Sequence, residues 1–420
     1  MKTIIGFDSW TQGAHHFERL VQAMEEEGYK LILIHVGSWG HDRNRPTEEM
    51  IGNLLVRDIS YYKGLSFLQI LKKENPSGVL ILSMQAYLHR AFNRYCNYLS
   101  IPTMHLYHGL VNVQPASVEK MMPINWKSQF SIFCLRAVDN MTKVLPTYIK
   151  SLLKTKASWY EWGWFFRDIY RKFTGTTYYH ESALDAMTTI CCVYTASDIP
   201  HAIQRYRMPI NKIKVVGNPD LILFGLKESM MGSYDFYDPL ISNEVMYIDT
   251  AFIEAGVAYN DKNDFIDHLI ETSDALKQQE YNLVIKLHPA HLFNGIHNSL
   301  KELNMNICEK EDFMTRLLKT SAAIVEPSSA ALIPALMGIP ILLGKYGRLN
   351  GLQFGDVLYS YPRAHILNDI HDIRSKIKET QKNPNTTLCL EWISKNIGPL
   401  PAENMPNRVM EVFKSIMQNS

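Results

Sequence analysis

Residues Tyr281 to His291 read YNLVIKLHPAH, an apolar run that ends on Lys286, His288 and Pro289. A buried strand of this kind delivers its last side chains to the carboxyl edge of a parallel sheet, where ligands collect. An imidazole there can bind, protonate or deprotonate a ligand near neutral pH, and Pro289 stiffens the loop that presents it. A second run, AAIVEPSSAALIPALMGIPILLG, ends a short strand at Glu326, turns at Pro327 and starts a helix at Ser328 and Ser329. Hydroxyls and unpaired N–H groups at a helix start form a cradle for phosphate or carboxylate, although such serines also serve as plain caps. Pro334 predicts a kink or a very short helix, closed by Gly338 and Pro340.

The amino-terminal half offers a different set. After the apolar run Thr3 to Phe7 come Asp8, Ser9, Trp10, Gln12, His15 and His16. Asp8 ends a strand and could take a proton from an acceptor hydroxyl; an aspartate there also caps the following helix readily. His15, at the start of that helix, is a rival base. Trp10, Gln12 and His16 are candidates for holding an acceptor, although His16 also aligns with the packed face of Phe17 and Leu20. Trp10 and Trp39 could stack on sugar rings. His108 occupies another strand end, in LYHGL, where Gly109 allows close backbone approach. Asp8, His15 and His108 thus stand as alternative bases. Lys345 and Arg348, in GKYGRLNG, could neutralise a carboxylate or phosphate or could simply be solvated.

These residues need a scaffold of strands and helices in alternation. Apolar runs at Thr3–Phe7, Leu31–Val36, Gly78–Ser83, Thr103–Tyr107, Thr189–Tyr194 and Ile213–Val216 predict about six strands in one doubly wound parallel sheet. A helical insertion over about 115–185 interrupts them. Its segment SWYEWGWFFRDIYRKF is dense in aromatics, with Lys150, Lys154, Lys156, Arg167, Arg171 and Lys172 nearby. Residues 148–173 could pack onto the sheet or lie peripherally in a membrane interface. Polarity rises over Lys227–Asn243, and a second series follows: strands at Val245–Asp249, Asn282–Leu287, Ala322–Val325 and Ile339–Leu343. The boundaries predicted are an amino-terminal domain over 1–225, a carboxyl-terminal domain over 240–400, and a terminal helix over 401–420.

Composition narrows the field. The chain has 420 residues, 46% hydrophobic and 20% charged, enough for two cores and unlike disorder. Its 43 basic and 42 acidic residues leave a net charge of +1, with no global field to attract nucleic acid. Six cysteines, with neither CxxC spacing nor scaffold density, fit a reducing cytoplasm. The apolar run before Asp8 is too short for the core of a signal peptide, and no stretch reaches the roughly 18 residues of a spanning helix.

The His288–Pro289 and Ser328–Ser329 stretches, in this order and separation, resemble the His-Pro and Ser-Ser motifs of bacterial sialyltransferases, polysialyltransferases and Kdo transferases of capsule and lipopolysaccharide assembly. The resemblance covers about residues 210–345. It implies an α/β GT-B fold, with two Rossmann-like doubly wound domains facing a central cleft. It also implies that His288, Ser328 and Ser329 bind the phosphate and ribose side of a CMP-sugar. Lys286, Pro289 and Glu326 share those strand ends, and VVGNP is similar to the turn between GT-B halves, which adds Gly217 and Asn218. The His-Pro and serine features are similar, too, to those of teichoic-acid glycerophosphotransferases and UDP-GlcNAc 2-epimerases, and LYHGL resembles the reaction-centre His-Gly of the former. No segment matches the acidic general-base motif of the sialyltransferases.

The expectation is an inverting glycosyltransferase that extends a bacterial surface glycan. Its donor would be a CMP-linked acidic sugar (a nonulosonic acid or Kdo), with no other cofactor. Its acceptor would be a glycan or lipid-linked glycan. No acidic cluster resembles a DxD motif, so metal independence is expected as well. The alternatives are a CDP-glycerol or CDP-ribitol phosphotransferase with His108 as base, a UDP-sugar enzyme of the same fold, or a non-catalytic scaffold of a polysaccharide assembly complex.

Overall fold

The structure, a computed structural model, describes residues 1–417 except 10, 12, 41–43, 85, 110–137, 175–183, 224–241, 256, 290, 292–294 and 383–384. The chain divides into two compact units. One is built from Met1–Gly109, Ser131–Gly217 and Glu403–Ser420, the other mainly from Asn218–Ala402.

The first unit is organised by a sheet of β1 (Lys2–Asp8), β2 (Tyr29–His35), β3 (Glu48–Ile51), β4 (Leu54–Asp58), β5 (Gly78–Ile81), β6 (Thr103–Leu106), β7 (Ile190–Val193) and β8 (Ile213–Val215). Their spatial order is β3-β4-β2-β1-β5-β6-β7-β8. Only the β3–β4 pair is antiparallel. β5 and β7 are wholly apolar and buried, as suits strands covered on both faces, while β6 buries Thr103 and His105 beside its apolar residues and β1 is buried from Ile4 onward. The β3–β4 hairpin is an addition to the six strands expected. Its two-residue Gly52–Asn53 turn, with Gly52 at φ +56°, closes an edge whose residues alternate between exposed and half-buried.

Four helices of this unit matter below: α1 (Ala14–Glu18), α2 (Tyr87–Tyr98), α3 (Leu145–Lys154) and α4 (Trp159–Thr174). Helices α3 and α4 belong to the insertion, and buried polar side chains tie them to α2. Arg90 donates to Asp185 Oδ1 and to the Tyr148 hydroxyl, both at 2.6 Å. Arg94 donates to Glu161 Oε1 at 2.6 Å and to Thr155 Oγ1 at 2.7 Å.

The second unit has five parallel strands: β9 (Glu244–Ile248), β10 (Asn282–Lys286), β11 (Ala322–Val325), β12 (Ile341–Gly344) and β13 (Ala364–Leu367), ordered β10-β9-β11-β12-β13. β13 adds to the four expected. Helix α5 (Lys262–Lys277) starts at Asp261, whose carboxylate accepts the N–H groups of Asn263 and Asp264. Helix α6 (Leu332–Leu336) follows β11. The terminal helix α7 (Met405–Met417) returns to the first unit, where Arg408 donates to Val216 O at 3.1 Å. Its Phe413 ring takes the space of a side chain at Gly78, since a Cβ there would lie 2.6 Å from the ring.

Both sheets reverse winding direction once. In the first, the chain runs outward from β1 to β2 and β4, then restarts on the other side at β5; in the second it runs from β9 to β10, then restarts at β11. Such switch points open a crevice at the carboxyl ends of the adjoining strands, because the connections leave in opposite directions.

Candidate functional site

The switch point of the first unit is lined with histidines. Asp8 ends β1, and its Oδ1 accepts the Ser9 N–H at 2.6 Å and stands 3.3 Å from His89 Nε2. A carboxylate only accepts, so His89 carries its proton on Nε2. Oδ2 lies against Gly13, where a Cβ would come within 2.5 Å of it. Asp8 is therefore buried and held from several sides.

His15 is exposed on α1, with its ring 3.9 Å from that of His16. His16 is buried beneath, 5.8 Å from the His108 ring. Burial lowers the His16 pKa to about 2, with His15, Arg19 and His108 adding to the effect. It is thus a neutral packing ring. His108 is exposed, and its Nδ1 sits 2.9 Å from the Leu82 carbonyl just beyond β5. That carbonyl also receives His105 Nε2 at 3.2 Å. Since a carbonyl can only accept, His108 carries its proton on Nδ1, and the Nε2 lone pair is left for another partner. Trp10 and Gln12 lie outside the described residues.

In the second unit the ends of β9, β10 and β11 are cross-linked by two carboxylates. Asp249 follows β9; its Oδ2 accepts the His288 N–H at 2.8 Å and lies 2.6 Å from His291 Nδ1, while Oδ1 accepts the Ala251 N–H at 2.8 Å. The His288-Pro289 turn is thereby pinned from beneath, with both residues exposed above it. Glu326 closes the other side. It accepts the hydroxyls of Tyr247 at 2.6 Å and Tyr259 at 3.1 Å on Oε1, and the Thr250 N–H at 2.8 Å on Oε2. Burial, then the nearby Asp249 charge, raises its pKa to about 7. Glu326 is fully enclosed, and its described contacts brace the loop after β9.

Ser328 takes the N-cap position of a 3-10 turn, Ser329–Ala331, that leads into α6. Its Oγ makes no capping bond and is a buried hydroxyl with no hydrogen-bond partner among the described residues. This differs from Ser66, whose side chain completes a full capping box. A helix as short as α6 contributes little dipole along its axis, so the free N–H groups of the turn and the two hydroxyls are what remains to hold an anion. Adjacent strands lie about 4.8 Å apart, which puts the ends of β10 and β11, on either side of β9, about 10 Å apart. His288 and Ser328–Ser329 therefore flank one crevice edge. Lys286 Nζ donates to Leu287 O at 3.2 Å and lies 5.7 Å from the centre of the Phe313 ring, and burial lowers its pKa.

The remaining candidates lie elsewhere. Gly217 has φ +98°, and the Asn218 side chain accepts the Asp220 N–H at 3.0 Å, which shapes the turn after β8. Arg348 is committed to Asp264 and Glu271 of α5. Sequence reasoning assigned no role to His89, Asp249, His291, Tyr247 or Tyr259. Tyr247 and Asp249 fall within the strand expected at Val245–Asp249 and His291 within YNLVIKLHPAH, whereas nothing local marks His89 or Tyr259.

Comparisons with solved structures bear on the fold. The wall teichoic acid polymerase TagF is 12% identical, with a TM-score of 0.50, and the alignment covers all of this chain and 90% of that one. The fold is GT-B. Among weaker likenesses, MnaA of S. aureus, solved with UDP, is 12% identical with a TM-score of 0.48, covering 100% of this chain and 97% of that one. A glycosyltransferase from Rickettsia africae ESF-5 is 13% identical with a TM-score of 0.47, covering 100% and 99%. No protein-family model matches the sequence, and no curated protein does either.

Proposed function

We propose that this GT-B chain is a transferase that moves the activated group of a cytidine-nucleotide donor onto an acceptor hydroxyl. The donor is a CMP-linked acidic sugar, and transfer proceeds with inversion and without a metal. The observation that carries the reading is the buried, unpartnered Ser328 Oγ at a switch-point edge, opposite an exposed His288 whose backbone is fixed by Asp249. An unmet buried hydroxyl is costly unless a ligand or water completes it. A donor phosphate offers an oxygen to the Ser328 hydroxyl, with Ser329 and His288 on the same edge to help hold it.

In the transfer, the acceptor oxygen forms a bond to the anomeric carbon as that carbon's bond to the CMP phosphate breaks. The acceptor proton passes to His108 Nε2, oriented by the Leu82 carbonyl. The departing phosphate gains charge, which His288 and the turn N–H groups stabilise. Geometry favours His108 over Asp8 as the base, because Asp8 is buried and already bonded to Ser9 and His89.

The same oriented His108 supports a second reading, transfer of an alditol phosphate from a CDP-alditol. A thermal-shift panel of CMP, CDP, UDP and GDP tests the nucleotide, since a ligand of the native state must raise its melting temperature. Transfer assays with CMP-sugars against CDP-glycerol then separate the two readings. A chain stabilised by none of the four nucleotides would refute both and leave the scaffold role.

A further inference from the structure

Helix α4 carries its acids inward and several of its rings outward. Glu161 pairs with Arg94 at 2.6 Å, and Asp168 accepts the Tyr87 hydroxyl at 2.5 Å and lies 3.7 Å from Arg90. Trp164 and Phe165 are buried, and the Arg90 guanidinium sits 4.4 Å over the Trp164 ring. These contacts fix the helix in rotation, because turning it would cost each of two buried arginines one of its carboxylate partners.

The opposite face is then left with Trp159, 92% exposed, Phe166, 61% exposed, and Tyr170, 68% exposed. Spacings of seven and four place these three on one side of a helix. Tyr160 stands beside them at 65% exposed, and the half-buried Trp162 ring stacks on Phe166 at 6.0 Å. An amphipathic helix on a water-facing surface shows the reverse pattern. Four such rings expose roughly 500 Å², on the order of the largest apolar patch a monomer carries. Leu153 extends it from α3.

The charge around this patch has one sign. From Leu145 to Tyr170 the exposed charged residues are Lys150, Lys154, Lys156 and Arg167, and no exposed acid accompanies them. We infer that this face docks on the interface of an anionic lipid bilayer. Tryptophan and tyrosine rings suit the headgroup boundary, and the lysines meet lipid phosphates. Pairing with a second copy through a two-fold axis would bring these like-charged lysines together, whereas anionic lipid supplies the opposite charge. The contact lies along the surface, since no helix among the described residues is long and apolar enough to cross a membrane.

Co-sedimentation of the full chain with vesicles tests this. The chain should pellet with phosphatidylglycerol-containing vesicles, less with phosphatidylcholine alone, and less again in high salt. Lys150→Gln, Lys154→Gln and Lys156→Gln together should weaken anionic binding about 100-fold, from about fivefold per cation. Trp159→Ser with Phe166→Ser should abolish pelleting while leaving circular dichroism and the melting temperature unchanged, because both side chains are exposed. Wild-type protein remaining in the supernatant with anionic vesicles would overturn the inference, as would undiminished pelleting of the serine variant. A dimer in sedimentation velocity that Trp159→Ser dissolves would overturn it in favour of self-association.

Discussion

Replacing Asp249 with alanine should damage the second unit more than any other single truncation at its crevice. The carboxylate accepts two buried N–H groups, from His288 and Ala251, each at 2.8 Å, and lies 2.6 Å from the enclosed His291. A hydrogen bond to a charged acceptor contributes about 1.5–3 kcal/mol. Losing two therefore costs about 3–6 kcal/mol, before any penalty at His291. For a unit of this size each kcal/mol shifts the melting temperature by about 2–4 °C, so a fall of at least about 6 °C is expected by differential scanning calorimetry. Asp249→Asn keeps one oxygen and should fall less, yet donor binding should still weaken because the His288 turn loses one of its supports. An alanine variant melting within 2 °C or so of wild type would show that this carboxylate does not hold the turn.

His108→Ala should lower turnover by about 10²–10⁴-fold while nucleotide-induced stabilisation persists, measured by transfer assay beside thermal shift. Glu326 has its pKa raised from 4.5 to about 7, so the folded state binds more protons than the unfolded chain between those values. Its contribution to stability is therefore highest below about pH 4.5 and declines as pH rises to about 7. Between about pH 4.5 and 7 the wild type should lose stability relative to Glu326→Gln as pH rises, and taking this difference separates Glu326 from oppositely titrating groups such as His16. Arg90→Ala removes the nearest cation from Asp185, leaving it the Tyr148 hydroxyl and the more distant Arg94, and should cost about 3 kcal/mol in denaturant unfolding of the first unit. Chelation by EDTA should leave the transfer rate unchanged.

The continuous apolar strands were legible because a strand buried on both faces is mostly apolar, and admits a polar residue only where a partner meets it, as Leu82 O meets His105. Hidden were the β3–β4 hairpin, whose edge position admits Glu48 and Glu49, and β13, whose Ala364, His365 and Ile366 are only partly buried or exposed. The Gly52–Asn53 dipeptide was the available signal for the hairpin. His288, Ser328 and His108 could be found because strand ends and turn residues announce themselves locally. Their supports could not, since those contacts join residues far apart in sequence. His89 reaches Asp8 across 81 positions, and Tyr247 reaches Glu326 across 79. Nor does residue type reveal that Glu326, a carboxylate beside a serine pair, is bonded to the hydroxyls of Tyr247 and Tyr259.

Calorimetric titration of CMP and CDP into the wild-type chain, His288→Ala and Ser328→Ala tests the account most directly. Wild type should bind at least one of the two nucleotides, and each substitution should weaken that binding by about tenfold or more, as loss of a hydrogen bond to a charged phosphate requires. Equal affinity in all three proteins, or no binding by the wild type, would contradict it.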